Sequence, residues 1–323
     1  MNKQKSIVCV GLTPCEQRTL CFESLHKGEV NRAKSVVVSS SGKATNVARV
    51  LQTLGSHAVL TGFAGGPAGK QFLARLTAEG IPHSFVETIG PTRICQTLID
   101  ETDRVATELV EETPLPALGE WRRFHDIFQA LLEHAELAII SGSPPPGSDP
   151  DVYAELIVRA RQKNCRVWID AQQEPFTRAI AARPWLAKLN RAELSRTVGA
   201  KINGDPDLAR AARDVCSAGA EIVIVTDGQR PAWLVTKSEI HQACPPAIKP
   251  LNAIGSGDAM TAGMAHGLTA GQSLLEAFRL GMACGAANAL TLTPGVVEPN
   301  AVDQLLAGVK LLLRVDEKLP LPE

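Results

Sequence analysis

The chain has 323 residues, with 33 basic and 34 acidic side chains and a formal charge of −1. That balance offers no electrostatic basis for binding a nucleic acid or an anionic membrane surface, and 45% apolar residues exclude a disordered chain. No apolar run approaches the roughly 18 residues that span a bilayer, and the polar start Met1–Lys5, followed only by the short apolar stretch Ile7–Leu12, argues against a secretory leader.

In chain order, Arg18–Phe22 and Ser35–Val38 are β-prone. Thr45–Leu54 reads as a helix with Val47, Val50, Leu51 and Leu54 on one face, stopped by Gly55. Ala58–Phe63 reads as a strand and Gly69–Ala78 as the helix after it, closed by Gly80. Gly65, Gly66 and Gly69 look faintly like a phosphate loop, but Ala64 and Gln71 replace its first Gly and its Ser/Thr. They read instead as a strand-to-helix turn lining a cleft. Ile94–Ile99 and Arg104–Val110 form a hairpin pattern across Asp100–Asp103, alternating at Val105, Thr107 and Leu109. Leu137–Ile140, Arg166–Asp170 and Glu221–Thr226 are buried-strand signals, and a helix is predicted around Val152–Gln162 after the Pro144–Gly147 turn. From Ala259 onward the pattern is helical, broken at Pro294-Gly295, with a last amphipathic helix near Ala301–Leu313.

Strands alternating with helices predict a mostly parallel α/β sheet covered on both faces, with ligands at the carboxyl ends of its strands. The four β-prone segments outside that rhythm, approximately 17–39 and 92–111, predict a small second sheet. It is either a lid over the cleft or a pair of surface hairpins without function. The cysteines Cys9, Cys15, Cys21, Cys95, Cys165, Cys216, Cys244 and Cys284 contain no C-x-x-C pair. They read as small apolar residues kept reduced in a cytoplasmic protein; the six-residue recurrence of the first three matches no zinc spacing.

The strongest chemical signal is Ile254-Gly255-Ser256-Gly257-Asp258-Ala259-Met260. A Gly-Ser-Gly turn running into a helix leaves backbone N–H groups without intrahelical partners at the positive end of the helix dipole. Asp258 in that first turn could take a hydroxyl proton while the amides stabilise charge on a transferred phosphoryl group. It could equally be an ordinary helix cap.

With that segment in view, the chain resembles the PfkB (ribokinase-like) carbohydrate kinase family, in its phosphosugar branch. The likeness runs through Gly28–Ala33, Ser41-Gly42-Lys43-Ala44-Thr45-Asn46, Thr92-Arg93, Ser141-Gly142-Ser143-Pro144, Lys188-Leu189-Asn190-Arg191-Ala192-Glu193 and the segment ending in Asp258. The resemblance implies one three-layer α/β/α domain over residues 1–323 with a small β-sheet lid. It implies Asp258 as general base and Gly255, Ser256 and Gly257 as the anion hole. It further implies Asn190 and Glu193 near Mg²⁺, Lys188, Thr226, Gly228 and Asn288 for ATP, and Gly42, Lys43, Asn46, Arg93 and Ser143 for the substrate.

The chain departs from that family where sugars are read. Gln17 stands where a hydroxyl-binding Asp is usual, with Glu16 expected on the opposite face, and Gly-Gly-Lys-Gly has become Ser41-Gly42-Lys43-Ala44. Pro231 and Leu189 replace a common Gly and Pro. The expected activity is ATP- and Mg²⁺-dependent phosphorylation of a ketohexose phosphate, by a homodimer joined through the lid. The alternatives are a sugar-phosphate-binding protein of the same fold with little turnover, and a kinase for an unphosphorylated sugar.

Overall fold

The computed structural model describes residues 6–314, so Met1–Lys5 and residues 315–323 of the expected domain span lie outside the described residues. The first strand, β1 (Ser6–Gly11), is followed by β2 (Cys15–Phe22) and β3 (Ser35–Ser41), then helix α1 (Lys43–Thr53), β4 (Ala58–Gly65) and α2 (Gly66–Ala78). Strands β5 (His83–Thr88), β6 (Arg93–Asp100) and β7 (Val105–Val110) precede α3 (Leu118–Leu132), β8 (Ala135–Ser141) and α4 (Val152–Gln162). Next come β9 (Arg166–Asp170), α5 (Gln173–Ala181), β10 (Leu186–Asn190), α6 (Arg191–Val198) and α7 (Asp205–Ala218). The chain ends with β11 (Ile222–Asp227), β12 (Arg230–Val235), β13 (Ile240–Cys244), α8 (Ser256–Thr269), α9 (Leu274–Ala289), α10 (Pro299–Leu306) and β14 (Lys310–Arg314).

Ten strands form the main sheet in the order β14-β13-β12-β11-β10-β9-β8-β1-β4-β5, parallel from β11 to β5 and antiparallel through β12, β13 and β14. Its central strands are apolar on both faces because both are covered. Val8 and Val10 pack with Phe124, Tyr153 and Phe176 on one side, Ile7 and Cys9 with Val47, Phe72 and Phe278 on the other. This is the expected three-layer architecture. The chain leaves β1 toward β4 on one side and later returns through β8 on the other, and such a reversal opens a crevice at the strands' carboxyl ends.

The second sheet, β3-β2-β6-β7, contains the four segments expected for it; β2 starts two residues before the predicted span, at Cys15, and β3 ends two after it, at Ser41. The expected helix Ala301–Leu313 is corrected: α10 stops at Leu306, and Lys310–Arg314 pairs antiparallel with β13. Three consecutive leucines suit an edge strand as well as a helix face, and Gly308 separates the two elements. The glycines at Gly65–Gly69 do make a strand-to-helix turn, but it packs against Thr88–Thr92 rather than forming a cleft wall: a Cβ at Gly65 would lie 2.2 Å from the Gly90 carbonyl oxygen.

Helices α8 and α9 lie close together because glycines face the contact. A Cβ on Gly281 would come within 2.4 Å of Met264 Cγ and 2.7 Å of the Met260 carbonyl oxygen. Gly281→Val should therefore destabilise the protein by about 1–3 kcal/mol through overpacking. Thermal unfolding reads this as a lowered midpoint, and an unchanged midpoint would contradict the packing described.

Candidate active site

The carboxyl ends of the parallel strands converge on one cleft. Asp170 ends β9, Asn190 ends β10, Thr226 lies at the end of β11, and Ser141-Gly142 follow from β8. Helix α1 begins there with Lys43, after Gly42 at φ 122°. The only non-glycine residues with positive φ among those described are Arg104, Asn164, Gln173 and Arg183. Ser41 and Ala44 therefore sit in ordinary strand and helix conformations, and the lost glycines cost no backbone strain.

Helix α8 starts at the same cleft. Its N-cap, Gly255, has φ 82°, and a Cβ there would meet Gly295 N and Pro294 Cβ at 2.9 Å. A side chain is excluded by both conformation and space. The amide of Ser256 donates to the Ala253 carbonyl at 3.2 Å, whereas those of Gly255, Gly257 and Asp258 meet no protein acceptor among the described residues. This corrects the expected anion hole: Ser256 N–H is occupied, and the open amides are those of Gly255, Gly257 and Asp258.

Asp258 is only 6% exposed, and Asn46 Nδ2 donates to its Oδ2 at 2.8 Å. Burial pushes its pKa up to about 6, against the opposing pull of Lys43, with the Asp170 charge adding to the rise. Asp170 is fully buried between two ammonium groups: Lys43 Nζ donates to Oδ1 at 2.7 Å and Lys188 Nζ to Oδ2 at 2.6 Å. Burial alone would raise this carboxyl; Lys188 and Lys43 more than offset it and hold it well below the usual carboxylate range. Lys43, also 3.7 Å from Glu193 Oε1, is pushed above the ordinary lysine value because its acidic neighbours outweigh its burial. Lys188 Nζ lies close over the turn, 3.1 Å from where a Cβ on Gly257 would be. Motif reading missed Asp170. The available signal was its position, an acidic residue ending a strand of the parallel sheet.

Asn190 and Glu193 form a reciprocal cap at the start of α6. Asn190 N–H donates to Glu193 Oε2, and Glu193 N–H to Asn190 Oδ1, both at 2.8 Å. Among the described residues no three His, Cys, Asp or Glu side chains converge as a metal cage.

Two cavities meet at the α8 turn. One, of about 530 Å³, has an apolar wall including Pro245, Pro246, Ile248 and Met282, and is bordered by Thr226 and Gly228. The other, of about 370 Å³, is bordered by Asp258, Asn46, Lys188 and Glu193, and by Gln17 and Glu108 of the second sheet. Thr226 and Gly257 line both. A third, of about 410 Å³, adjoins the second through Gly42, Lys43 and Arg93 and also includes Ser143.

Arg93 is partly engaged by protein carbonyls, Nη2 donating to Thr13 O at 2.9 Å and Nη1 to Glu111 O at 3.3 Å, while its buried Nε has no partner. Gln17 Nε2 donates to Thr97 Oγ1 at 2.9 Å. Glu16 does face the other way, paired with Arg18 and Arg75. Asn288 is the clearest correction. It is fully buried and clamps the α8 turn from behind, donating from Nδ2 to Ile254 O (2.9 Å) and Ser256 Oγ (3.3 Å) and accepting at Oδ1 from Gly295 N (2.7 Å). Its amide holds the loop and does not border the apolar cavity.

The family model of pfkB family carbohydrate kinases matches residues 4–300. A 1-phosphofructokinase of Bacillus subtilis is 30% identical over 305 residues, covering 94% of this chain and 99% of that protein. A tagatose-6-phosphate kinase of Staphylococcus epidermidis is 26% identical over 309 residues, covering 95% and 99%. The phosphofructokinase-2 of Escherichia coli, solved in complex with fructose-6-phosphate, superposes with a TM-score of 0.86 at 27% identity, covering 94% of this chain and 98% of that one. With a buried aspartate and open amides at the head of one helix, between cavities at the ends of a parallel sheet, this chain belongs to the pfkB family of carbohydrate kinases.

Proposed function

We propose that the protein is a cytoplasmic, ATP-dependent kinase of a ketohexose phosphate, of the 1-phosphofructokinase or tagatose-6-phosphate kinase type. The observation that carries this reading is the pairing of the Asp258 carboxylate with three unoccupied amides where two cavities join. The activities for which its relatives are named agree with it.

The apolar cavity suits a nucleobase, with the triphosphate running toward Thr226 and Gly257. The sugar lies in the second cavity, its reacting hydroxyl against Asp258 and its ring beneath the second sheet, beside Gln17 and Asn46. Its own phosphate extends toward Arg93, Lys43 and Ser143. Asp258 accepts the hydroxyl proton as the sugar oxygen bonds to the γ-phosphorus. The bond from that phosphorus to the β,γ-bridging oxygen breaks, and ADP leaves. The open amides and Lys188 stabilise the transferred group. The oxygen donors of Asn190 and Glu193 fit Mg²⁺, which tolerates few protein ligands because it retains water and binds phosphate oxygens. When bound, it would neutralise charge on the ATP phosphates. Val36, Val37, Val38, Val105, Leu109 and Val110 leave the second sheet with exposed apolar side chains, and a second copy of the chain covering this sheet is part of the proposal. A binding protein without turnover gains no support from Ser41 and Ala44, whose backbones are regular.

Asp258→Asn should lower kcat at least about a hundredfold, as expected for loss of a general base; steady-state turnover within tenfold of wild type would remove Asp258 from that role. Because the base must be ionised, kcat should fall as pH drops through about 6, by about tenfold per unit on the acid side. The linked stability has the opposite sign. Asp258 contributes most below its unfolded value of 3.8, and that contribution is lost as pH rises through about 6. A pH-rate profile flat from about pH 5 to about pH 7, one unit either side of that point, would contradict the assignment. Arg93→Ala should raise KM for the sugar phosphate at least about tenfold, the size of one lost charge-assisted contact, with KM for ATP little changed; an unchanged sugar KM would favour an unphosphorylated substrate.

A further inference from the structure

Two of the eight cysteines stand apart from the others. Cys9, Cys165 and Cys284 are pushed up to about 12 and Cys216 to about 11, mainly by burial, and are poor nucleophiles. Cys15 and Cys95 lie on adjacent parallel strands, β2 and β6, on one face of the second sheet, Cys15 opposite Arg93 and Cys95 opposite Gln17. Both border the cavity that contains Asp258. The two thiols are diagonal neighbours across the β2–β6 pair and influence each other's proton affinity. The Arg93 guanidinium also pulls the Cys95 thiol down, with Glu108 the opposing charge. The neighbouring Cys15 thiol does most to hold the Cys95 thiol below its ordinary value, while Cys95 and burial raise Cys15. The arrangement sets a thiol of lowered proton affinity beside a second thiol on the neighbouring strand, both bordering one cavity.

We propose that Cys95, backed by Cys15, is a covalent modification site for small peroxides at the sugar end of the cleft. The Cys95 thiolate attacks one peroxide oxygen and the O–O bond breaks. The departing hydroxide takes up a proton to become water, leaving a sulfenic acid on Cys95. Cys15, giving up its proton, attacks the Cys95 sulfur, and the S–O bond breaks with release of a second water. Two thiols are oxidised to one disulfide and one hydrogen peroxide is reduced to two waters. The two positions are offset by two residues along adjacent strands, so forming the bond shears β2 against β6 at their cleft ends, beside Arg93. The modification therefore distorts the cavity beside Asp258 and acts away from the apolar cavity, which neither cysteine borders. Its effect on turnover rests on the kinase reading above; the thiol chemistry does not.

The test exposes the purified full-length protein to hydrogen peroxide, blocks remaining thiols and maps the peptides by mass spectrometry. A Cys15–Cys95 disulfide should form before any other cysteine is modified and be reversed by dithiothreitol, and Cys15→Ser should instead accumulate a Cys95 sulfenic acid trapped by dimedone. Binding of an ATP analogue should survive oxidation of the wild type. The proposal is overturned if both cysteines remain free thiols while others oxidise, or if Cys95 is oxidised no faster than Cys9 or Cys284. A kinase assay run alongside separates the two readings: the disulfide can form in a protein that proves to have no kinase activity, and kinase activity can persist without it.

Discussion

The cleft depends on a charge problem and its solution. Three carboxylates, of Asp170, Glu193 and Asp258, and the Lys188 ammonium are withdrawn from water beside the partly exposed Lys43, and an unpaired buried charge there would cost several kcal/mol. Asp170 resolves most of the conflict by binding Lys43 and Lys188 at once. Those lysines are thereby fixed at the edges of the α8 turn, and Asp258 is left with an amide donor, Asn46, rather than a direct cation. A carboxyl so placed keeps enough proton affinity to act as a base near neutral pH, whereas one clamped by a lysine would be too weak a base. Asp170 and Asp258 are two buried acids of one cleft: at Asp170 the two lysines overcome burial, whereas at Asp258 burial prevails, and the two carboxyls shift in opposite directions.

The scaffold around this network is built to hold the turn still. Gly255 takes a left-handed conformation pressed against Pro294 and Gly295, and Gly295 in turn leaves no room for a Cβ against Asn46. Asn288, on α9, ties the turn to Gly295 from below. The amides that would receive a phosphoryl group are thus oriented by packing from α1, α9 and the Pro294-Gly295 bend, with no reorganisation needed when charge arrives.

Much of this was legible in the amino-acid order, for physical reasons. Strands apolar on both faces announce a covered parallel sheet, and α4 and β9 have the predicted boundaries because periodicity and turn residues agree there. The Gly255–Asp258 segment was legible because glycines and an acid at a helix start have few other uses. Less visible were features set by distant neighbours. Asp170 carries no motif, and only folding brings it to Lys43, 127 residues away in sequence. The occupied Ser256 amide and the inward turn of Asn288 are decided by hydrogen-bond partners that no spacing reveals. The C-terminal leucines became an edge strand because β13 offered an unpaired edge. Nor could composition distinguish Cys15 and Cys95 from six other cysteines before the register of β2 and β6 was known.

The most direct test of the account is a crystal structure with a non-hydrolysable ATP analogue and a ketohexose phosphate bound together. The terminal phosphate should lie within hydrogen-bonding distance of the Gly257 and Asp258 amides, with a sugar hydroxyl on the Asp258 carboxylate and the sugar's own phosphate toward Arg93. A nucleotide whose terminal phosphate lies away from that turn, or a sugar with no hydroxyl against Asp258, would contradict it.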